Sequence, residues 1–280
     1  MLIRFLQFLP EFKGKTRICT WLLRNYITDK KDVVLKAEKG LYFKVPNFKE
    51  PIGFSILING AHERETSNFI LKHLRPNAVF LDIGANIGAI TLPVCIQRKD
   101  LTVMCIEASP KVFSYLSENV KMNKIGNCIL VNKAVSDVDG QKVQFFSPPD
   151  QHGKGSLSPV FTDQSEYVET ITLDTLLGQH NLNSVDFIKI DIEGHEYYAF
   201  KSAEKTLRRQ NAPVILFEFI DWAESHAKDL KPGDAQKLLI DYGYFIYKFE
   251  EGRPVGKPLE KPITDEGLIM LFATKKKFTT

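Results

Sequence analysis

The sequence predicts a doubly wound α/β domain, and three observations carry that reading. From Ala78 onward, short apolar runs alternate with longer stretches of helical periodicity. The runs are continuous instead of strictly alternating, as in strands covered on both faces. One of them, AVFLDIG, carries a carboxylate into a glycine turn, at the kind of strand end where open α/β sheets place ligands.

Residues 1–77 read as an N-terminal extension packed on the main domain, with LYFKVPN a strand and HERETSNFILKHL a helix. Residues 78–280 form the main domain, whose strands are AVFLDIG, TVMCIEA, CILVNKAV, VDFIKIDI and PVILFEF. Between the second and third, SPKVFSYLSENVKMN spaces Val112, Leu116 and Val120 one helical turn apart. Ser109 suits its N-cap and Pro110 its first turn. EYYAFKSAEKTLRRQ is a second helix with basic residues late, where the dipole favours them. PGDAQKLLIDYG is a third, closing at Gly243. Residues 137–173 break the rhythm as a β insertion. VDGQKVQFF and YVETITL flank the polar SPPDQHGKGSLSPV, a loop long enough to be disordered or to serve as a lid. SPPD itself lacks the amide and aromatic ring that stack a flipped base, so it reads as loop.

Composition narrows the class. The chain has 280 residues, 44% hydrophobic and 25% charged, which excludes a disordered chain, a collagen-like repeat and a disulfide scaffold. Lys plus Arg is 37 against Asp plus Glu 34, a net charge of +3, too balanced to favour a nucleic-acid partner. Cys19, Cys95, Cys105 and Cys128 show no metal-type pairing, and the three that sit inside apolar runs read as reduced, buried thiols of a cytoplasmic protein. No apolar run reaches the roughly 18 residues a bilayer requires. The leading MLIRFLQFLPEFKGKTR is broken by Arg4 and Pro10 and lacks a cleavage site, so no signal peptide is expected. Leu2, Phe5, Leu6 and Leu9 fall on one helical face. That face docks on the main domain or, as the second reading, lies on a membrane with Arg4, Lys13 and Lys15 near the headgroups.

Chemistry concentrates in two strand ends. Phe80-Leu-Asp-Ile-Gly-Ala-Asn-Ile-Gly88 is a strand, a turn and the opening of a helix, with glycines that let backbone approach a ligand. Asn86 and Ala89 stand where a dinucleotide fingerprint needs its second and third glycines, so a pyrophosphate ligand and a dinucleotide oxidoreductase are disfavoured. Asp82 suits instead a ligand carrying positive charge. Glu107, ending the second strand, suits the vicinal hydroxyls of a ribose. Cationic, ribose-bearing and phosphate-free describes S-adenosylmethionine.

KIDIEGHE ends the fourth strand. Strand alternation puts Asp191 and Glu193 on one face if the strand continues that far. Their repulsion has to be offset by a metal, Lys189 or a proton. Gly194 permits a turn, and His195 then opens the next helix, whose dipole favours a neutral, proton-accepting imidazole. Glu218, in LFEFI on the neighbouring strand, completes an acidic cluster with Asp191. Together those two offer ligands to a magnesium or manganese ion. The competing readings are a capped turn with a solvated acid for Asp191 and Glu193, and a structural hydrogen bond for His195. The other histidines have no ligand spacing.

DIGANIG, IEASPKVFSYLSENVKMN, AVSDVDG, ITLDTLL and KIDIEGHE, in that order, resemble the FkbM family of S-adenosylmethionine-dependent methyltransferases over residues 63–220. The resemblance implies a seven-stranded, Rossmann-like class I methyltransferase sheet whose last strand, GLIMLFAT, runs antiparallel. It implies O-methylation of a hydroxyl on a saccharide acceptor in a glycan, glycolipid or natural product. It places Asp82, Gly84, Asn86 and Gly88 around the methionine part of the cofactor, near Asp191, and Glu107 at the ribose. Ala134, Val135 and Ser136 would border the adenine, and Glu65 would approach the cofactor's amino group unless it is a solvated charge. Transfer falls to Asp191, Glu193, His195 and Glu218. A cofactor-binding module without turnover is the alternative, and the intact acidic edge argues against it.

Overall fold

A computed structural model describes residues 2–10, 12, 14–28 and 30–277. Lys13, invoked above as a headgroup contact, and the last three residues of the terminal tail lie outside that set, as does the Leu2 side chain.

The first quarter of the chain supplies α1 (Leu2–Phe8), α2 (Lys15–Ile27), the hairpin β1 (Lys31–Lys36) and β2 (Tyr42–Asn47), α3 (Pro51–Asn59) and α4 (Arg64–His73). The sheet begins with β3 (Val79–Ile83), α5 (Thr91–Gln97), β4 (Thr102–Ile106), α6 (Pro110–Met122) and β5 (Cys128–Val131). An insertion follows, built from β6 (Ala134–Val135), β7 (Lys142–Phe146) and β8 (Ser165–Ile171). The chain returns through α7 (Leu173–Gln179), β9 (Phe187–Ile190), α8 (Glu196–Ser202), α9 (Glu204–Leu207) and β10 (Val214–Ile220). It closes with α10 (Asp221–Glu224), α11 (Asp234–Asp241), β11 (Phe245–Glu250), β12 (Arg253–Val255) and β13 (Leu268–Thr274).

The main sheet has the order β12-β11-β13-β10-β9-β3-β4-β5. Strands β10, β9, β3, β4 and β5 run parallel, and β13 enters antiparallel between β10 and β11. GLIMLFAT is therefore the antiparallel strand anticipated from sequence. The eighth strand, β12, is a three-residue hairpin arm at the edge. It was invisible in the sequence because a Pro-containing triplet carries no periodicity.

Alternation sorts the central strands between two cores. Phe80 and Phe187 face the cluster shared with the N-terminal elements, whereas Leu81 and Ile188 face the one covered by α7, α8, α9 and α11. The N-terminal extension thus roofs one face of the sheet. Its α4 drives Phe69 edge-on into Phe187, Phe249 and Phe272; burying such a ring contributes about 1.5–3 kcal/mol. The β hairpin is held by α6, where Asn119 and Asn123, one turn apart, each pair with both backbone groups of a β2 residue, Lys44 and Tyr42 respectively. Ser109 caps α6 through Val112 N–H and Pro110 opens it.

Three expectations need correction. EYYAFKSAEKTLRRQ is two short helices broken at Ala203, which sits at φ −108, ψ 19. CILVNKAV also divides: β5 stays in the main sheet, while β6 pairs with β8 in a separate sheet of order β6-β8-β7, so the insertion begins at Ala134 and not at 137. In the leading helix Leu6 is buried at 3% exposure while Phe5 stands 60% exposed, so the face splits between core and solvent. All four cysteines are free thiols. Among the described residues no helix is long and apolar enough to cross a membrane.

Candidate active site

A cleft of about 310 Å³ opens at the carboxyl ends of β3, β4, β9 and β10, where a parallel sheet presents its loops.

Its floor begins with the turn after β3. Gly84 and Ala85 both donate to the carbonyl of Ile106, tying the turn to β4. Gly84 has φ +78, and a Cβ there would lie 1.9 Å from the carbonyl oxygen of Asp191. Gly88 has φ +84, and its Cβ would strike Leu92 and Leu116. These glycines are demanded by the protein's own packing, not by room for a ligand as the sequence suggested. Gly84 lines the cleft and Gly88 does not, and α5 opens only at Thr91. Asn86 adopts φ +50, a conformation asparagine tolerates, and its side chain accepts from Ile87 N–H at 2.8 Å.

Asp82 is buried at 1% exposure. It accepts from the Thr91 hydroxyl, and its Oδ1 has no hydrogen-bond partner, with Lys189 Nζ at 3.8 Å. Burial raises its pKa, opposed by Lys189 and Thr91. Lys189, two residues before Asp191 and on the same face, bonds Asp191 Oδ2 at 3.1 Å. Burial alone would lower the lysine, but Asp191 and Asp82 outweigh it and hold it above the ordinary range. Glu107 accepts from the backbone N–H of Asn86 and of Ser109, both at 2.9 Å. Burial lifts it to about 7 against those two bonds. Each of its oxygens accepts one backbone N–H, and a carboxylate oxygen can accept a second hydrogen bond, which is what a ribose diol needs. An orphaned buried carboxylate oxygen beside a diol-binding carboxylate fits the charge pattern of S-adenosylmethionine.

The acidic end of the cleft forms by a route the strand alternation did not foresee. Strand β9 stops at Ile190, and Glu193 and Gly194 turn with φ +54 and φ +96. The turn nevertheless gathers Asp191, Glu193 and Glu218 so that one carboxylate oxygen of each lies within 4.8 Å of the others. Glu193 Oε2 and Glu218 Oε2 are buried without a hydrogen-bond partner. Burial, then Asp191 and Glu196, pushes Glu193 up to about 9. Burial, then Asp191, raises Glu218 as well. Without a neutralising cation Glu193 holds a proton at neutral pH.

His195 precedes α8, 8% exposed, with Nε2 2.9 Å from the Ser158 hydroxyl. Its pKa is lowered to about 4 by burial; the direction matches the sequence reading, but the cause is desolvation and not the helix terminus. Ser158 belongs to the polar segment of the insertion, and Ser156 beside it donates to the Glu193 carbonyl at 2.8 Å. That segment, whose composition offered little apolar surface, is held down by hydrogen bonds.

Of the anticipated cofactor residues, Ala134 and Val135 line the cleft while Ser136 lies outside it, its N–H bonded to Ile171. Glu65 is also misplaced: it is exposed on α4 and packs against Gly252, and Glu63 and His62 reach the cleft instead. The left-handed Glu63, at φ 43, rotates the chain just before the helix begins and so moves the acidic position by two residues. Sequence reasoning missed Glu50, Ile52, Lys133, Phe145, Lys154 and Leu268 on the cleft wall. They come from segments that only the tertiary fold brings to this edge; the Pro51 helix start was the one local signal available.

A model of the methyltransferase FkbM domain matches residues 82–246. Hexuronic acid methyltransferase AglP of Haloferax volcanii is 27% identical over 179 residues, 64% of this chain and 68% of the relative. 31-O-demethyl-FK506 methyltransferase FkbM of Streptomyces tacrolimicus is 26% identical over 213 residues, covering 65% and 79%. 2-O-methyltransferase NoeI of Sinorhizobium fredii is 28% identical over 150 residues, covering 48% and 61%.

Proposed function

The chain belongs to the FkbM methyltransferase family, and on that premise we propose that it transfers a methyl group from S-adenosylmethionine to a hydroxyl of a saccharide acceptor. One observation carries the reading: Asp82, whose Oδ1 is buried without a hydrogen bond, Glu107 and the Asp191–Glu193–Glu218 cluster open into the same cleft. One end suits a cationic nucleoside, and the other sets a neutral His195 beside the acidic cluster. The names of three relatives point the same way, one acting on a hexuronic acid and two on oxygen positions.

When bound, S-adenosylmethionine supplies an electrophilic methyl group on a sulfonium. Asp82 would hold the amino group of its methionine part, Glu107 its ribose, and Ala134 and Val135 would flank the adenine. The acceptor hydroxyl would lie at the acidic end, aligned with the methyl–sulfur bond. His195, neutral at physiological pH and oriented by Ser158, would take the hydroxyl proton as the new bond forms. The convergence of three carboxylate oxygens supports a second reading, in which Asp191, Glu193 and Glu218 would hold a divalent ion that would supply Lewis-acid polarisation of the hydroxyl.

The test is a transfer screen over lipid-linked and nucleotide-linked sugars, with mass detection of an added methylene. Calorimetric binding of S-adenosylhomocysteine is measured alongside. Binding with no transfer to any hydroxylated acceptor would leave a cofactor-binding module; absence of binding would remove the cofactor assignment itself.

A further inference from the structure

The N-terminal helices carry exposed apolar surface that the transfer site does not use. Ile18, Trp21 and Leu22 on α2 are 51%, 66% and 44% exposed, and Phe5 on α1 and Phe12 in the connection are 60% and 48%. At about 100° per residue, Ile18, Trp21 and Leu22 share one stripe of α2. Cys19 and Leu23, which are buried, lie on another about a third of a turn away. Arg17 and Arg24 flank the exposed stripe on its far side. The helix therefore has two separate apolar faces, one spent on the core and one left outward with arginines at its border.

Charge says what covers the outward face. Residues 1–31 contain seven Lys or Arg and only two Asp or Glu, in a chain whose total net charge is only +3. The basic excess of the whole molecule is thus confined to the segment that carries the exposed aromatics. Tryptophan and phenylalanine beside arginine, on a helix too short to span a bilayer, is the composition of an interfacial anchor. A second copy of the chain would bring this excess against itself, and a neutral apolar partner would leave the arginines without counter-charges.

We propose that α1 and α2 form a peripheral docking surface for an anionic lipid bilayer, with Phe5, Phe12, Trp21 and Leu22 entering the headgroup boundary and Arg4, Arg17 and Arg24 meeting lipid phosphates. The surface is rigidly tied to the rest of the molecule: Gln7 donates to the Ile56 and Leu57 carbonyls of α3, and Pro51 and Ile52 at the start of the same helix line the cleft.

The experiment is co-sedimentation of the full chain with phosphatidylcholine vesicles, with and without phosphatidylglycerol. A Trp222→Phe background makes Trp21 the sole tryptophan emitter. Binding is expected only to the anionic vesicles, with a blue shift of Trp21 and a loss of about tenfold or more between low and high salt. Trp21→Glu with Leu22→Glu should abolish it while melting temperature and S-adenosylhomocysteine affinity stay unchanged. No binding to anionic vesicles, equal binding to neutral ones, or retention of binding by the double variant would overturn the proposal. So would a solution dimer that the double variant dissociates, because the face would then be covered by a second copy.

Discussion

The Ser158 hydroxyl lies 2.9 Å from Nε2 of His195, so the insertion closes over the turn after β9 through a bond between two buried side chains. Ser156, bonded to the Glu193 carbonyl, makes the closure two-pronged. Ser158→Ala should loosen it. Losing a buried hydrogen bond costs about 1–1.5 kcal/mol, or roughly a tenfold rise in the opened population. Limited proteolysis between Gln151 and Asp163 should accelerate by that factor, and cofactor with acceptor should slow it in the unmodified protein. Equal nicking in the two proteins would mean that the bond does not hold the segment.

Asp82→Asn should weaken S-adenosylhomocysteine binding by ten- to a hundredfold, from the loss of about 1.5–3 kcal/mol of hydrogen bonding to a charged acceptor. Glu107→Gln should do the same through the ribose. Calorimetry reads both, and an unchanged melting temperature separates lost contacts from lost fold. Unaltered affinity in either variant would end that residue's assignment.

Stability should fall on both sides of mildly acidic pH. His195 is held at about 4 against an ordinary 6.5. The unfolded chain takes up this proton first, so its contribution is present above pH 6.5 and lost as pH falls towards 4, by about 3 kcal/mol in all. Glu193 is pushed from 4.5 to about 9, so the folded state keeps a proton the unfolded chain releases. Its contribution is full below pH 4.5 and lost as pH rises towards 9. Urea unfolding of the ligand-free protein at pH 6.5 and 9 should show the decline. Glu193→Gln should flatten it by about 1.4 kcal/mol per pH unit. A variant with the slope intact would place the titration on another group.

His195→Asn should lower turnover by about 10²–10⁴ with cofactor affinity nearly unchanged if the imidazole receives the proton. Chelation should abolish turnover, and magnesium or manganese restore it, if a cation at Asp191, Glu193 and Glu218 does the polarising. If neither treatment affects transfer, the catalytic centre lies elsewhere on the cleft.

Much of this architecture was legible in the chain because its central strands are buried on both faces and so write themselves as unbroken apolar runs. The acids ending them, Asp82, Glu107, Asp191 and Glu218, could be located by strand position alone. What escaped were features decided by backbone turns and by distance along the chain. Glu65 failed because a single left-handed residue, Glu63, re-aims the start of α4. The cause of the His195 shift was missed because burial by the insertion depends on Ser156 and Ser158, some forty residues upstream. Asp191 and Glu193 meet, but through a turn that strand periodicity does not describe.

Gly84 and the Asp191 carbonyl are so close that no side chain fits between them. The loop that would hold the cofactor and the loop that carries the acids are therefore fused through backbone and cannot drift apart in sequence independently. Any lineage or designer altering what this enzyme methylates must leave that junction alone. Variation has to enter through the insertion and the start of α3, which overhang the cleft without sharing the joint. A graft of those two segments from a relative with a different acceptor would be the economical route to a new specificity.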